Sequence, residues 1–408
     1  MAVARRPGAA ADAVLDAVPP VVFEPASTAE AAEALRECAG EKRAVVFVGG
    51  GTELGVGAPP RGLGAVLRTG ALSRVVEYAP ADQIVTVEAG ITLAALQGSL
   101  RGHHQRLALD PPRAGEATVG GIVAANSFGP LRTRYGTSRD LIVGVTLVRA
   151  DGVVARGGGK VVKNVAGFDL PRLMVGSLGT LGLIATATFR LHPLPDESAT
   201  LLLPGLAAAA VRRLAARLRE AQLEPAAVAV VGINPFDAAV RFEGFTASVK
   251  AQSERLAAIA GELGAACDRL APAPAASWWE RHDAARSRGA VRLKLAALPS
   301  QFETVAREAI GAVATAAAGS EYVGYPTLGL GFVSAPAAGN GLAAAIGAAR
   351  AALERLGGSL AVHAAPPELR AALDPWGAAP PALALMRSLK AQLDPEARLA
   401  PGRQAGGI

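Results

Sequence analysis

The hydrophobic pattern along this chain changes period several times. Ala44–Val48, AVVFV, is a continuous apolar and β-branched run, the pattern of a strand buried on both faces. Ala65–Arg68 (AVLR), Val75–Tyr78 (VVEY) and Ile84–Ala89 (IVTVEA) are short strand signals separated by turn residues, and they predict one small sheet. From Leu141 the alternation is regular: LIVGVTLVRADG reads as strand and turn, Asp151-Gly152 is a hairpin signal, and VVAR is the return strand. Helical spacing appears in Pro25–Gly40, where Ser27 and Glu30 form a capping-box pattern and Gly40 a stop. Thr92 is placed to cap a helix through Leu100 that lines up Leu93, Leu96 and Leu100 on one face.

Beyond residue 196 the pattern becomes alanine-rich and helical over 207–221, 246–266, 301–318 and 342–356. Apolar strand signals at 227–233, 291–298, 329–333 and 359–363 separate these runs. This order predicts a largely antiparallel sheet with helices on one side. The fold class is therefore α+β.

Three stretches fit neither period. Gly49–Gly57, GGGTELGVG, follows the AVVFV strand directly; Ala117–Gly136 reads ATVGGIVAANSFGPLRTRYG; Lys163–Leu191 carries glycines at 167, 176, 179 and 182 with Ser177 and Thr180 among them. Glycines in such runs let backbone amides approach a bound molecule, as in anion-binding loops, and they equally suit tight structural turns. Arg132, Arg134 and Arg139 either meet phosphate or are solvated. The GxGxxG dinucleotide fingerprint and the Walker A spacing are both absent, which disfavours a Rossmann domain and a P-loop.

Composition narrows the reading. The 408 residues suffice for two or three cores, and 51% of them are apolar. The net charge of +6 is scattered, so nucleic acid is not expected as a partner. Cys38 and Cys267 are the 2 cysteines, which excludes a disulfide framework and an iron–sulfur cluster held by this chain alone. Of the 5 histidines only the adjacent pair His103 and His104 has a metal-ligand spacing, and that pair reads as solvated, so no metal is expected. The first 20 residues lack the apolar core of a secretory signal, and the uncharged runs 173–189 and 322–349 are too short or too broken to span a bilayer. The expected address is cytoplasmic, with any contact with the inner membrane peripheral.

Taken together, GGGTELGVG, the Pro111-Pro112 pair followed by ATVGGIVAANSFGP and RYG, DLIVGVTLVRADG, and KNVAGFDLPRLMVGSLGTLGLIATATFRLHPLP resemble the vanillyl-alcohol oxidase, or PCMH-type, FAD-binding family. The tail PWGAAPPALALMRSLKAQLDPEARLAPGR is similar to that family's terminal Pro-Gly-Arg segment. Within the family the likeness runs to the FAD-binding subunits of bacterial glycolate oxidase. The chain departs from related segments at Leu178, where an acidic residue is common, and at Ala400, where Asn is common.

The resemblance implies an N-terminal extension over 1–20, an FAD-binding domain of two α+β subdomains over 21–195, and an α+β cap over 196–408 whose tail, 375–403, returns to the flavin domain. It implies a cofactor site drawn from Gly49, Gly50, Gly51, Thr52, Glu53, Leu54 and Gly55; from Pro111, Thr118, Val119, Gly120, Gly121, Ala124, Asn126, Arg134 and Gly136; and from Lys163, Gly167, Ser177, Gly179, Thr180, Gly182, Ile184 and Arg403. The FAD is expected to be noncovalent, because Thr52 stands where some members carry a flavin-linking histidine. The implied function is glycolate oxidation to glyoxylate, with a larger FAD subunit and an iron–sulfur subunit as partners. Self-sufficient oxidation of another 2-hydroxy acid such as D-lactate, or a noncatalytic FAD relay, are the alternatives. Oxidation of such an acid requires a cation for the carboxylate and a base for the hydroxyl proton. Arg292 and Lys294, two apart on a predicted strand, face either a pocket or solvent; His282, beside Trp278 and Trp279, is either a base or an aromatic-packed histidine.

Overall fold

The computed structural model describes residues 3–160, 167–337 and 341–408. Its contacts divide the chain into two compact units: Met1–Gly129, Gly136–Leu194 and Ala378–Ile408 form the first, Pro130–Tyr135 and Pro195–Gly377 the second.

In the first unit, strands β1 (Arg5–Pro7), β2 (Val21–Phe23), β3 (Ala44–Val48) and β4 (Leu63–Arg68) form a sheet in the order β1-β2-β4-β3. The β3 and β4 strands pair in parallel, as the buried AVVFV run requires. Helix α1 (Thr28–Gly40) packs Ala31, Leu35 and Cys38 against Phe23, Val45 and Leu67. The Ser27 hydroxyl accepts from the Glu30 amide, but Glu30 reaches back to the amide of Ala26, one residue before the cap. The left-handed residue after the helix is Lys42, not Gly40.

Strands β5 (Val75–Ala79), β6 (Ile84–Glu88), β7 (Gln105–Arg106), β8 (Ile142–Val148), β9 (Val154–Gly158), β10 (Leu183–Arg190) and β11 (His192–Pro193) follow, with helices α2 (Leu93–Arg101) and α3 (Val119–Ala125) between. Five of these strands make an antiparallel sheet, β5-β6-β10-β8-β9, while β7 pairs with β11. The single small sheet predicted for 65–89 is thus divided. Propensity marks a strand, but its partner is chosen by residues far away in sequence: β4 takes β3 and β2, and β6 takes β10. Asp151-Gly152 does turn β8 into β9, with Gly152 at φ +76° and the Asp151 carboxylate accepting from the Val153 amide.

The carboxyl-terminal segment closes this unit. The Val45 amide donates to the Arg398 carbonyl and the Ala400 amide to the Val45 carbonyl, so the tail runs along β3. On the helix Leu383–Leu393, the buried Lys390 ammonium donates to the Thr180 carbonyl (2.8 Å), the Leu399 carbonyl (2.7 Å) and the Asp394 carboxylate (2.6 Å). Asp394 also accepts from the Arg398 and Leu399 amides. Burial lowers the Lys390 pKa, and Asp394 opposes that shift.

The second unit carries one eight-stranded antiparallel sheet. Its strands are β12 (Glu197–Leu206), β13 (Ala227–Val231), β14 (Phe236–Gly244), β15 (Asp268–Arg269), β16 (Val291–Ala296), β17 (Glu321–Tyr325), β18 (Leu330–Ala335) and β19 (Ser359–Ala364), in the order β15-β12-β14-β13-β17-β18-β16-β19. Helices Ala208–Glu220, Thr246–Glu262 and Leu342–Arg355, with the helical run from Phe302 to Ala316, bury Leu214, Leu256, Ile346 and Ile310 against one face. The expectation of helices on one side fails at Pro272–Ser287, which lies against β17 and β18 through Trp278, His282 and Arg286 on the other face. Its aromatic and charged residues give no apolar helical stripe for the sequence pattern to show.

Two outcomes follow for the first unit. Replacing Lys390 by Met leaves the Asp394 carboxylate buried without its ammonium, and the loss of stability in urea denaturation is expected at about 3–5 kcal/mol with an unchanged m-value. The second concerns Glu88, whose carboxylate binds the Arg74 guanidinium (2.7 Å) and amide (2.8 Å). Burial alone would raise the Glu88 pKa, but Arg74 outweighs it and holds the group below 4.5. A depressed carboxylate contributes its stability above 4.5 and loses it as pH falls through the lower folded value. The urea midpoint of Glu88→Gln should therefore fall less steeply than that of the native chain on acidification below this pH.

Candidate functional site

The first unit carries a cleft enclosing about 760 Å³ of empty space, including its mouth. The end of β3 leads into it, so Val46, Phe47, Gly49, Gly50, Gly51, Thr52, Glu53 and Leu54 form one wall. Thr118, Gly120, Gly121 and Ala124 of the α3 turn form the second, and Leu178, Gly179, Gly182, Leu183 and Ile184 the third. The three glycine-rich stretches are thereby brought to one place.

The glycines do two different jobs. A Cβ on Gly50 would lie 1.7 Å from the Glu116 carbonyl oxygen, one on Gly49 would lie 2.0 Å from the Thr118 hydroxyl, and one on Gly120 would meet Ala89 at 2.7 Å. These positions let the loop and the helix start press on each other. Gly51 differs, with φ +73° and nothing nearer to its missing Cβ than Leu54 at 3.6 Å, so the space beside it opens into the cleft.

Helix α3 starts inside the cleft. Thr118 caps it by accepting from the Gly121 amide, and the Val119 and Gly120 amides are tied to the Ile91 and Ala89 carbonyls. At its other end the Gly176 and Leu178 amides donate to the Val123 and Ala124 carbonyls, which fixes the third stretch to the helix. Leu178 adopts φ +51° there, and Gly179 (φ +75°) lies 3.0 Å from the Phe47 ring when a Cβ is added. A glycine loop with open space beside Gly51 and apolar side chains such as Val46, Leu54 and Ile184 suit a phosphate-bearing cofactor with a flat ring.

Arg403 lines the cleft, yet its Nη2 donates to the Leu54 (2.8 Å) and Val56 (2.6 Å) carbonyls. Burial lowers its pKa to about 10. These bonds hold the Leu54–Val56 end of the glycine loop. Glu53 in the same loop accepts from the Ser127 hydroxyl at 2.9 Å.

Several sequence-predicted residues do not line the cleft: Gly55, Pro111, Val119, Asn126, Gly136, Gly167, Ser177 and Thr180. Thr180 is spent on the Ser177 carbonyl, and the Asn126 Oδ1 and Ser177 Oγ atoms are buried without a hydrogen-bond partner. Arg134 belongs to the second unit, where it donates to the Glu224 and Glu243 carbonyls. Lys163 lies outside the described residues. The cleft also takes in Val46, Phe47, Thr69, Ala89, Ala125, Leu178 and Leu183, which sequence reading missed. Apolar residues at strand ends carry no sequence mark that separates a ligand wall from core.

In the second unit Arg292 and Lys294 project from β16 on the face opposite the apolar core and are half-buried. His282 is fully buried, stacked on Trp278 at 6.0 Å and tilted against Tyr325 at 5.7 Å, with Nδ1 2.9 Å from Asp283. Burial lowers its pKa, and Asp283 opposes that shift. Among the described residues no group of three His, Cys, Asp or Glu side chains is placed to hold a metal, and no helix is long and apolar enough to cross a membrane.

Residues 19–158 match the family described as FAD binding domain. Glycolate oxidase subunit GlcE of Escherichia coli (strain K12) is 34% identical over 227 residues, covering 55% of this chain and 63% of that protein. D-lactate dehydrogenase of Archaeoglobus fulgidus is 39% identical over 186 residues, and glycolate oxidase subunit GlcD of Bacillus subtilis 34% over 185, each covering 45% of this chain. The match spans 41% of the dehydrogenase and 39% of GlcD. Among solved structures, p-cresol methylhydroxylase (PCMH) superposes with TM-score 0.74 at 14% identity, covering 95% of this chain and 88% of that one. Alkyldihydroxyacetonephosphate synthase gives TM-score 0.71 at 18% identity, covering 94% and 76%. Residues 19–158 thus carry an FAD binding domain, and the chain shares the fold of p-cresol methylhydroxylase.

Proposed function

We propose that this chain is the FAD-binding subunit of a glycolate oxidase or dehydrogenase complex, oxidising a 2-hydroxy acid to the 2-oxo acid. The observation that carries this reading is the cleft walled by Gly49–Leu54, Thr118–Ala124 and Leu178–Ile184. When bound there, FAD supplies the acceptor for the hydride that leaves C2 of the substrate. The chain's own part is to seat the pyrophosphate against the Gly49–Glu53 backbone, and to exclude water with Val46, Leu54 and Ile184. Noncovalent attachment is favoured because no His, Cys or Tyr lines the cleft among the described residues, and Cys38 is buried in the β3 core.

With 2 cysteines the chain holds no cluster of its own, so electrons pass to an iron–sulfur partner alongside a larger FAD subunit. The complex is placed in the cytoplasm, touching the inner membrane only through partners. The similarity to a D-lactate dehydrogenase keeps a second reading open, self-sufficient oxidation of D-lactate. A third is an FAD relay without substrate chemistry.

The purified chain should carry about one FAD, released by acid without a covalent remnant. Gly121→Val, which adds a branched side chain at the cleft wall, should lower flavin occupancy at least tenfold with an unchanged far-UV circular dichroism spectrum; full occupancy in this variant would refute the placement. In stopped flow, bleaching of the flavin by glycolate supports the glycolate assignment. Bleaching by D-lactate alone supports the second reading, and absence of bleaching until partner subunits are added supports the relay.

A further inference from the structure

The sheet of the second unit has an unusual second face. At the β17-β18-β16-β19 end, cross-strand pairing puts Arg292 opposite Ser334 and Lys294 opposite Phe332. Side chains directly opposite on antiparallel strands share a face. On β19 the register slips between Arg292/Ala364 and Leu293/Val362, and His363 is the residue that the slip leaves beside Arg292. Its ring stands edge-on to Phe332 at 6.1 Å, and Arg286, from the helix Pro272–Ser287, lies 4.0 Å over the same Phe332 ring. Arg292, Lys294 and His363 are half-buried.

Two further facts point to a ligand. Ser334 is only 4% exposed, yet its hydroxyl has no hydrogen-bond partner, a cost that buried polar atoms seldom carry without use. Burial, with the charges of Lys294, Arg286 and Arg292, sets the His363 pKa well below the ordinary value. Glu321 on β17 is the carboxylate on this face, cross-strand from Ser334. Arg292 and Lys294 are two residues apart on one strand, about 7 Å, a span that a small acid can bridge.

We propose that Arg292, Lys294 and Ser334 form a binding site for the carboxylate of a 2-hydroxy acid, with the His363 imidazole placed to accept a hydrogen bond from its hydroxyl group. This assignment of residues rests on the 2-hydroxy-acid reading above. The guanidinium and ammonium neutralise the carboxylate, the Ser334 hydroxyl donates to it, and a neutral imidazole offers the one acceptor that the substrate hydroxyl needs. Binding an anion beside His363 offsets the neighbouring cations and raises its pKa.

The experiment is an NMR titration of the imidazole signals of the full chain with sodium D-lactate or glycolate, the His363 signal being assigned by its loss in His363→Gln. Sodium chloride at equal ionic strength is the control. The expected result is a saturable shift of the His363 signal with a raised pKa, weakened at least tenfold by Arg292→Met and several-fold by Ser334→Ala. A His363 signal unmoved by either acid, an equal shift with chloride, or native affinity in Arg292→Met would overturn the proposal. Ser334→Ala, a near-isosteric change, keeps the test valid should the arginine variant fold poorly. Flavin content, measured on the same samples, separates this outcome from the cofactor reading: a flavin-free chain that still binds the acid would sink the flavin assignment alone.

Discussion

The first unit depends on one close approach, that of the Gly49–Gly50 backbone to the Glu116–Thr118 backbone. Side chains at either glycine would collide with the carbonyl of Glu116 or the hydroxyl of Thr118, so the loop after β3 and the start of α3 touch only because both Cβ atoms are missing. That contact holds a helix start and a glycine loop side by side, and their shared concavity is the cleft. The glycines contribute geometry more than flexibility, since their neighbours fill the space a side chain would take.

A second constraint keeps this arrangement in place. Within the Gly49–Gly57 loop the backbone bonds are two turn contacts, from the Leu54 amide to the Gly51 carbonyl and from the Val56 amide to the Glu53 carbonyl. The returning tail supplies further bonds: Arg403 clamps the Leu54 and Val56 carbonyls, and Lys390 joins Thr180, Leu399 and Asp394 into one buried polar knot. Residues separated by more than two hundred positions in sequence thereby share one ammonium. The Gly49–Gly57 loop and the carboxyl-terminal segment are thus joined through Arg403.

The second unit follows a different logic. One face of its sheet is an apolar helix-covered core, and the other carries Arg292, Lys294, Ser334 and His363 beside a single aromatic helix. A two-residue strand period explains the separation: Val291, Leu293 and Leu295 go to the core, while Arg292 and Lys294 cannot follow them. A sheet that retains half-buried cations on one face is suited to anions, whereas its other face serves stability.

Strand and helix identities for the long periodic segments were legible in the sequence, as were the three glycine stretches and the FAD-binding family they resemble, because backbone period and glycine content are local properties. Ala44–Val48, Ala208–Glu220, Leu342–Arg355 and the Asp151-Gly152 turn fall where the pattern places them. Strands Glu197–Leu206, Phe236–Gly244 and Glu321–Tyr325, and the helix Pro272–Ser287, were not legible, since proline, charge and aromatic residues blur their periods. Only the tertiary structure decided that β4 and β6 belong to different sheets, that Arg403 grips a loop, and that Ser334 and His363 stand beside Arg292. Each of these is a pairing between distant segments, fixed by which buried surfaces and backbone groups find partners, and no single stretch of sequence contains that information.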